Sequence, residues 1–271
     1  MIKTPLIFAT LSLCLTLIFT GVLNKTSYAQ GVRSGYAYPY AEGEIENQLG
    51  EKPVVLELFS SQACMFCPMA DQFIEDLVKR TDLIILACHI DYFDVRQGSI
   101  ATPECSKQQK DYARMIRGAT LYTPEIVLNG AADYVGYEFD YFMEEVVRLS
   151  KEGNVVPLTI KAIDGDLQGG NKRYELDLFP FTDAEGQEIS GLDIWLYMVE
   201  KPHHIKVAEG ANKGKNLPYV NIVRKSERIG RWDGRAQKVS FSAAMRDEFD
   251  SFVVLLKNDQ GVIMGAAQVK L

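Results

Sequence analysis

The chain has 271 residues, enough for one large domain or two ordinary ones. Its 47% hydrophobic and 24% charged content is that of a folded globular protein and excludes a disordered or fibrous one. A formal charge of -7, with no local Lys/Arg cluster, excludes the basic face that a nucleic-acid partner wants.

Lys3 supplies a short positive start, Leu6 to Phe19 is apolar and uncharged, and Ser27-Tyr28-Ala29 offers small residues before a cut at Gln30. Residues 1–29 therefore read as a signal peptide, and the chain as exported, periplasmic or secreted. An uncleaved anchor is the alternative, because the apolar stretch through Leu23 approaches spanning length. Cys14 lacks the preceding small residues of a lipid anchor, and no later segment is long and apolar enough to span a membrane. Residues 30–51 are a polar, Gly- and Tyr-rich lead-in.

Val54 to Phe59 is an apolar run with one acid, the mark of a strand buried on both faces. Ser60 to Ala63 is a turn, and Pro68 to Lys79 a helix with Met69, Phe73, Ile74, Leu77 and Val78 at helical spacing. Leu83 to Ile90 is a second buried-type strand, so β-α-β order favours a parallel pair. Thr102 caps and Pro103 opens an inserted helix over Glu104 to Met115. Glu125 to Leu128 and Ala132 to Val135 are short strands joined at Asn129-Gly130, a hairpin signal. Phe139 to Leu149 is an amphipathic helix with Phe142, Val146 and Leu149 on one face. Beyond residue 153 the period is that of strands: Val156 to Ile163, Tyr174 to Phe179, Asp193 to Val199, Val220 to Arg228, Lys238 to Ser242, Phe252 to Lys257 and Val262 to Val269. Seven short strands without long helices predict a β-sandwich.

Without residues 1–29 four cysteines remain, and an oxidising compartment makes an even count read first as disulfides. Cys64-Met65-Phe66-Cys67 sits where a buried strand gives way to a helix. Helix-terminal amides and the dipole favour a thiolate at the first cysteine. The three-residue spacing lets the second sulfur resolve a mixed disulfide. A static disulfide is the alternative. Zinc wants a second ligand pair, and neither another C-x-x-C nor a His-x-x-x-His exists. Cys88 and Cys105 read as a structural bridge from the second strand to the inserted helix, or as a second-site thiol. Glu57 is a lone acid in an apolar strand, to be paired if buried. His89 and Asp91 end the second strand, on the sheet edge that carries the C-x-x-C; a hydrogen-bonded structural histidine is the plainer reading of His89. Thr123-Pro124 precedes the hairpin strand, where the proline is either cis or an ordinary trans edge residue.

Leu58 to Asp71, His89 to Asp94, Gln108 to Tyr112, Tyr122 to Gly130, and Glu209 to Gly214 followed by Asn221-Ile222-Val223 lie in the order of motifs in one family. The chain resembles domain-of-unknown-function family 1223, exported bacterial proteins with no assigned activity; it departs from the family at Ala63, Met69, Gln108, Glu209 and Ala211. The resemblance implies an α/β thioredoxin-like domain over 52–153 (βαβ, inserted helix, ββα), then an all-β sandwich-like domain over 154–271. It implies a cis Pro124 opposite the cysteines, with Thr123 beside it, and Glu57 as the buried acid handling the second cysteine's proton. The leading expectation is a thiol–disulfide oxidoreductase acting on protein or peptide thiols and disulfides, with Cys64 attacking, Cys67 resolving and no cofactor. A non-catalytic binding or scaffold protein is the alternative. Soft-metal binding by Cys64, Cys67 and His89 is a weaker one.

Overall fold

The computed structural model of the chain describes residues 52–80, 83–93, 99–152, 155–167, 171–244 and 246–271. The signal-peptide and lead-in readings, and Asp94, lie outside the described residues.

In chain order the elements are β1 (Val54–Ser60), α1 (Cys67–Leu77), β2 (Leu83–His89), α2 (Pro103–Met115), β3 (Glu125–Leu128), β4 (Ala132–Val135) and α3 (Phe139–Glu152). They continue as β5 (Leu158–Leu167), β6 (Asn171–Leu178), β7 (Phe181–Thr182), β8 (Glu188–Ile189), β9 (Leu192–Glu200), β10 (His203–Lys206) and β11 (Asn216–Tyr219). The last four are β12 (Ile222–Trp232), β13 (Gln237–Ala244), β14 (Phe249–Lys257) and β15 (Ile263–Lys270).

Every residue of β1 and β2 is buried, and the two pair in parallel from Val54↔Leu83 to Ser60↔His89, joined by α1. Helix α1 carries Pro68 in its first turn, where a missing N–H costs nothing. Thr102 caps α2 by accepting from the Cys105 N–H at 3.2 Å. Asn129 and Gly130 both take left-handed conformations between β3 and β4 (φ 47° and 65°). Gly130 has a second constraint, since a Cβ there would lie 2.1 Å from the Gly261 carbonyl oxygen of the β14–β15 turn.

Eight strands form one mixed sheet in the order β15-β14-β9-β12-β2-β1-β3-β4, four from each half of the chain. The seam is short. Ile222 of β12 pairs with Ala87 of β2, the Ala87 N–H donates to the Asn221 carbonyl at 2.9 Å, and the Asn221 side-chain amide donates to the Ile85 carbonyl at 2.9 Å. Asn221 itself is left-handed (φ 49°), a conformation its short polar side chain tolerates. Val54, Leu56 and Leu58 face α1 and α3 on one side of β1, while Val55 and Phe59 face α2 on the other. In β9 and β14, Tyr197, Val199, Val253 and Leu255 continue the α2-side core. Ile194, Leu196, Val254 and Leu256 pack with Leu176 and Phe241 of the three-stranded sheet β13-β6-β5.

The expected fold class is corrected by this sheet. A thioredoxin-like α/β unit followed by a β-sandwich does not describe a chain with fifteen strands and three helices among its described residues, whose main sheet runs through both halves. Apolar runs and alternation report that a segment is a strand and which residues it buries, not which strand lies beside it. The second edge of β2, buried along its whole length, needed a neighbour, and β12 from the far half of the chain supplies it.

Candidate functional site

Beyond Ser60 the chain turns through residues 61–66, with the Cys64 N–H donating to the Ser61 carbonyl at 3.1 Å, before α1 begins at Cys67. That geometry separates the two thiols. Cys64 is half-buried at the mouth of the turn, whereas Cys67 is wholly buried on the inner face of α1. The Cys67 thiol hydrogen-bonds to the Cys64 sulfur and is the main cause that draws the Cys64 pKa down to about 6, against burial. Thr123 and the N–H groups of Phe66 and Cys67 act in the same direction. Burial pushes the Cys67 thiol far upward, reinforced by Cys64 and Asp71. The two thiols are thus unequal: Cys64 is accessible with a lowered pKa, and Cys67 is buried with a raised one.

Asp71 lies four residues after Cys67, on the same face of the helix, and is buried. The Ser60 hydroxyl donates to its Oδ2 at 3.0 Å, and Oδ1 has no hydrogen-bond partner among the described residues. Burial raises its pKa well above the usual carboxyl range, so the group can hold a proton beside Cys67. The i, i+4 spacing from Cys67 was the available sequence signal for it.

Thr123 and Pro124 meet this site. Their peptide bond is cis, and the Cys64 thiol lies 3.5 Å from the Thr123 carbonyl oxygen, to which it donates. Next to them Glu125 is buried, with a pKa pushed up to about 7 chiefly by burial. The Gln109 amide donates to Glu125 Oε2 at 2.6 Å and to the Tyr122 carbonyl at 2.7 Å, and accepts from the Tyr92 hydroxyl at 2.8 Å. Met65 and Phe66 are exposed, and Phe66 lies against Tyr137 with ring centroids 5.7 Å apart, giving the mouth an apolar rim.

The other expected residues go elsewhere. Glu57 is buried on the α2 side of β1, opposite the face on which α1 packs. It accepts from Tyr112 and Gln108 and pairs with Lys257 of β14 at 3.2 Å, so the expected placement of Glu57 beside Cys67 is corrected; the buried acid next to Cys67 on α1 is Asp71. The error is one of parity, because adjacent strand residues face opposite sides. His89 is buried with its ring edge-on to Tyr219, centroids 5.1 Å apart. Asp91 accepts from the Ser106 hydroxyl while its N–H donates back at 2.8 Å, holding the start of α2. Cys88 and Cys105 form a disulfide, Cα–Cα 5.2 Å, tying β2 to α2. Among the described residues, no group of three or more His, Cys, Asp and Glu is placed to hold a metal ion.

Residues from the second half complete the site. Asn212, in the loop between β10 and β11, is fully buried, and its side-chain amide donates to the carbonyls of Gln62 at 3.1 Å and Cys64 at 2.6 Å. The only prior signal for that contact was the Glu209 to Gly214 motif itself, since nothing in the residues states what they touch.

A mixed sheet that presents an asymmetric dithiol where a central strand meets a helix defines the class. The chain belongs to the family described as "Protein of unknown function (DUF1223)", whose model matches residues 55–257, from β1 to the end of β14. Protein AGR_C_4864 from Agrobacterium tumefaciens, a structural-genomics target, shares the fold with TM-score 0.65 and 24% identity, over 81% of this chain and 95% of its own. HBP35 of Porphyromonas gingivalis is similar with TM-score 0.56 and 11% identity, over 82% of this chain and 76% of its own. No curated protein matches the sequence.

Proposed function

We propose that this protein is an exported thiol–disulfide oxidoreductase acting on protein or peptide disulfides. The observation that carries the reading is the asymmetry of its two thiols: Cys64 reachable at the turn, Cys67 buried one helical turn from a carboxyl with a free oxygen. A pKa of about 6 leaves roughly ten thiolates per thiol at Cys64 at neutral pH. That thiolate attacks one sulfur of a substrate disulfide, forming a mixed disulfide and expelling the other sulfur as a thiolate. Asp71, in its ionised form, then takes the Cys67 proton as Cys67 attacks the Cys64 sulfur, releasing the second substrate thiolate and leaving Asp71 protonated. The Cys64–Cys67 disulfide is left, and two electrons have passed to the substrate. The same steps run backwards oxidise a substrate dithiol. The exposed apolar rim of Met65, Phe66 and Tyr137 suits a polypeptide substrate. Export is supported by the features of residues 1–29 and by the Cys88–Cys105 bridge, a bond favoured in oxidising compartments.

The test is mixed-disulfide trapping. The Cys67→Ser protein should accumulate adducts with a peptide disulfide, and the Cys64→Ser protein should not. A wild-type protein that exchanges with no test disulfide and whose dithiol potential lies far below about -300 mV carries a static bridge, and the reading fails.

A further inference from the structure

The loop at residues 207–215 is braced by its own backbone: the Val207 N–H donates to the Lys215 carbonyl at 2.9 Å, and Gly214 N–H to the Val207 carbonyl at 2.8 Å. Its Gly210, left-handed at φ 78°, lies so near the dithiol turn that a Cβ there would be 3.1 Å from the Ala63 Cα. Asn212 stands at the centre of this contact. Its Oδ1 accepts from the Lys215 ammonium at 3.0 Å, which fixes the amide with its NH2 toward the Gln62 and Cys64 carbonyls. In a trans peptide the carbonyl and the next N–H share one rigid plane. Holding the Gln62 and Cys64 carbonyls therefore fixes the 62–63 and 64–65 peptide planes, one on each side of the Ala63-Cys64 unit. The direction of the Cys64 side chain, and the path of the chain to the Phe66 and Cys67 amides, follow from those two planes.

We propose that Asn212 is a positioning residue for the dithiol, aligning Cys64 on its partners from the far half of the chain through the Gln62 and Cys64 carbonyls. The proposal rests on the oxidoreductase reading for its consequence in catalysis, but its geometry stands apart from it. Lys215 is exposed and acts only by orienting and polarising the Asn212 amide. Lys213 is exposed in the same loop and donates no side-chain bond to Asn212 among the described contacts, so it serves as the charge control.

The experiment is the pH dependence of Cys64 alkylation by iodoacetamide in the reduced full chain, read by mass spectrometry, with circular dichroism to verify folding. Asn212→Leu should move the Cys64 midpoint up by about one pH unit and slow exchange with a peptide disulfide by roughly tenfold. Lys215→Met should move it the same way by less, and Lys213→Met should leave it in place. A purely structural Asn212 would lower the melting temperature without moving the midpoint. A folded Asn212→Leu protein with an unmoved midpoint overturns the proposal. If that variant does not fold, a Lys215→Met midpoint indistinguishable from that of Lys213→Met overturns it instead. Alkylation reads Cys64 whether or not the protein turns over disulfides. An inactive wild type with a mobile midpoint therefore refutes the oxidoreductase reading alone, and an active one with a fixed midpoint refutes the positioning alone.

Discussion

Replacing Asp71 by Asn keeps the shape of the side chain and an oxygen for the Ser60 hydroxyl, but removes the carboxylate proposed to take the Cys67 proton. Cys64, outside that exchange, should still attack; Cys67, whose thiol burial holds protonated, should resolve slowly. A positioned acid–base group is worth about 100-fold or more, so the second step should slow by roughly that factor while the first changes little. An aromatic disulfide that releases a coloured thiolate separates the two, because the first attack frees one chromophore and resolution frees the other. The same substitution has an equilibrium signature. Burial raises the folded carboxyl's pKa above its usual 3.8, so the folded state keeps the proton after the unfolded state has lost it. The stabilisation this brings is complete below the unfolded value and is lost as pH rises toward the folded one, with a limiting slope of about 1.4 kcal/mol per pH unit. Asp71→Asn should flatten that part of the urea-unfolding pH profile, leaving the slope that Glu125, also raised, contributes with the same sign. A second-step rate equal to wild type would refute the proton-acceptor role, and an unaltered pH profile would refute the burial argument beneath it.

Two further outcomes follow from pairs that lie away from the dithiol. Lys257→Met leaves the Glu57 carboxylate buried without its cation and should cost about 3–5 kcal/mol by urea unfolding. Glu57→Gln combined with Lys257→Met should recover most of that loss, and neither variant should shift Cys64 alkylation. Removing the Cys88–Cys105 bridge as a Cys88→Ala, Cys105→Ala protein should cost about 3 kcal/mol under non-reducing conditions, with mixed-disulfide trapping at Cys64 retained.

What was legible in the residues was what is local. The strand from Val54, the helix after Cys67, the Thr102 cap and the left-handed Asn129-Gly130 turn each follow from spacing and side-chain chemistry within a few positions, and each is present. The Cys64/Cys67 turn and the cis Thr123-Pro124 bond lie together because β3 pairs beside β1. What failed was non-local. Glu57 looked like the acid of the dithiol since it lies seven residues upstream of Cys64, yet the face it shares with Val55 and Phe59 turns it toward Lys257, 200 residues away. Asp71 was within reach of helical spacing, but a single acid in a helix is ordinarily a solvated one, and only packing reveals its burial.

The correction at the level of the fold and the contact of Asn212 with the dithiol turn have the same physical origin. A buried central strand such as β2 has two edges of backbone N–H and C=O groups, and an unpaired edge in the interior is costly. The β-α-β unit satisfies one edge of β2 with β1 and leaves the other open, so the first half of the chain is incomplete by itself. β12 pairs with that edge at Ala87 through Asn221 and Ile222. The strand just before that seam is β11, which β10 and the 207–215 loop join to the dithiol turn. Closing the sheet and bracing Cys64 are therefore consecutive acts of one stretch of chain, residues 203–223. A second half that merely followed the first as a separate sandwich would have had no reason to place Asn212 against Cys64.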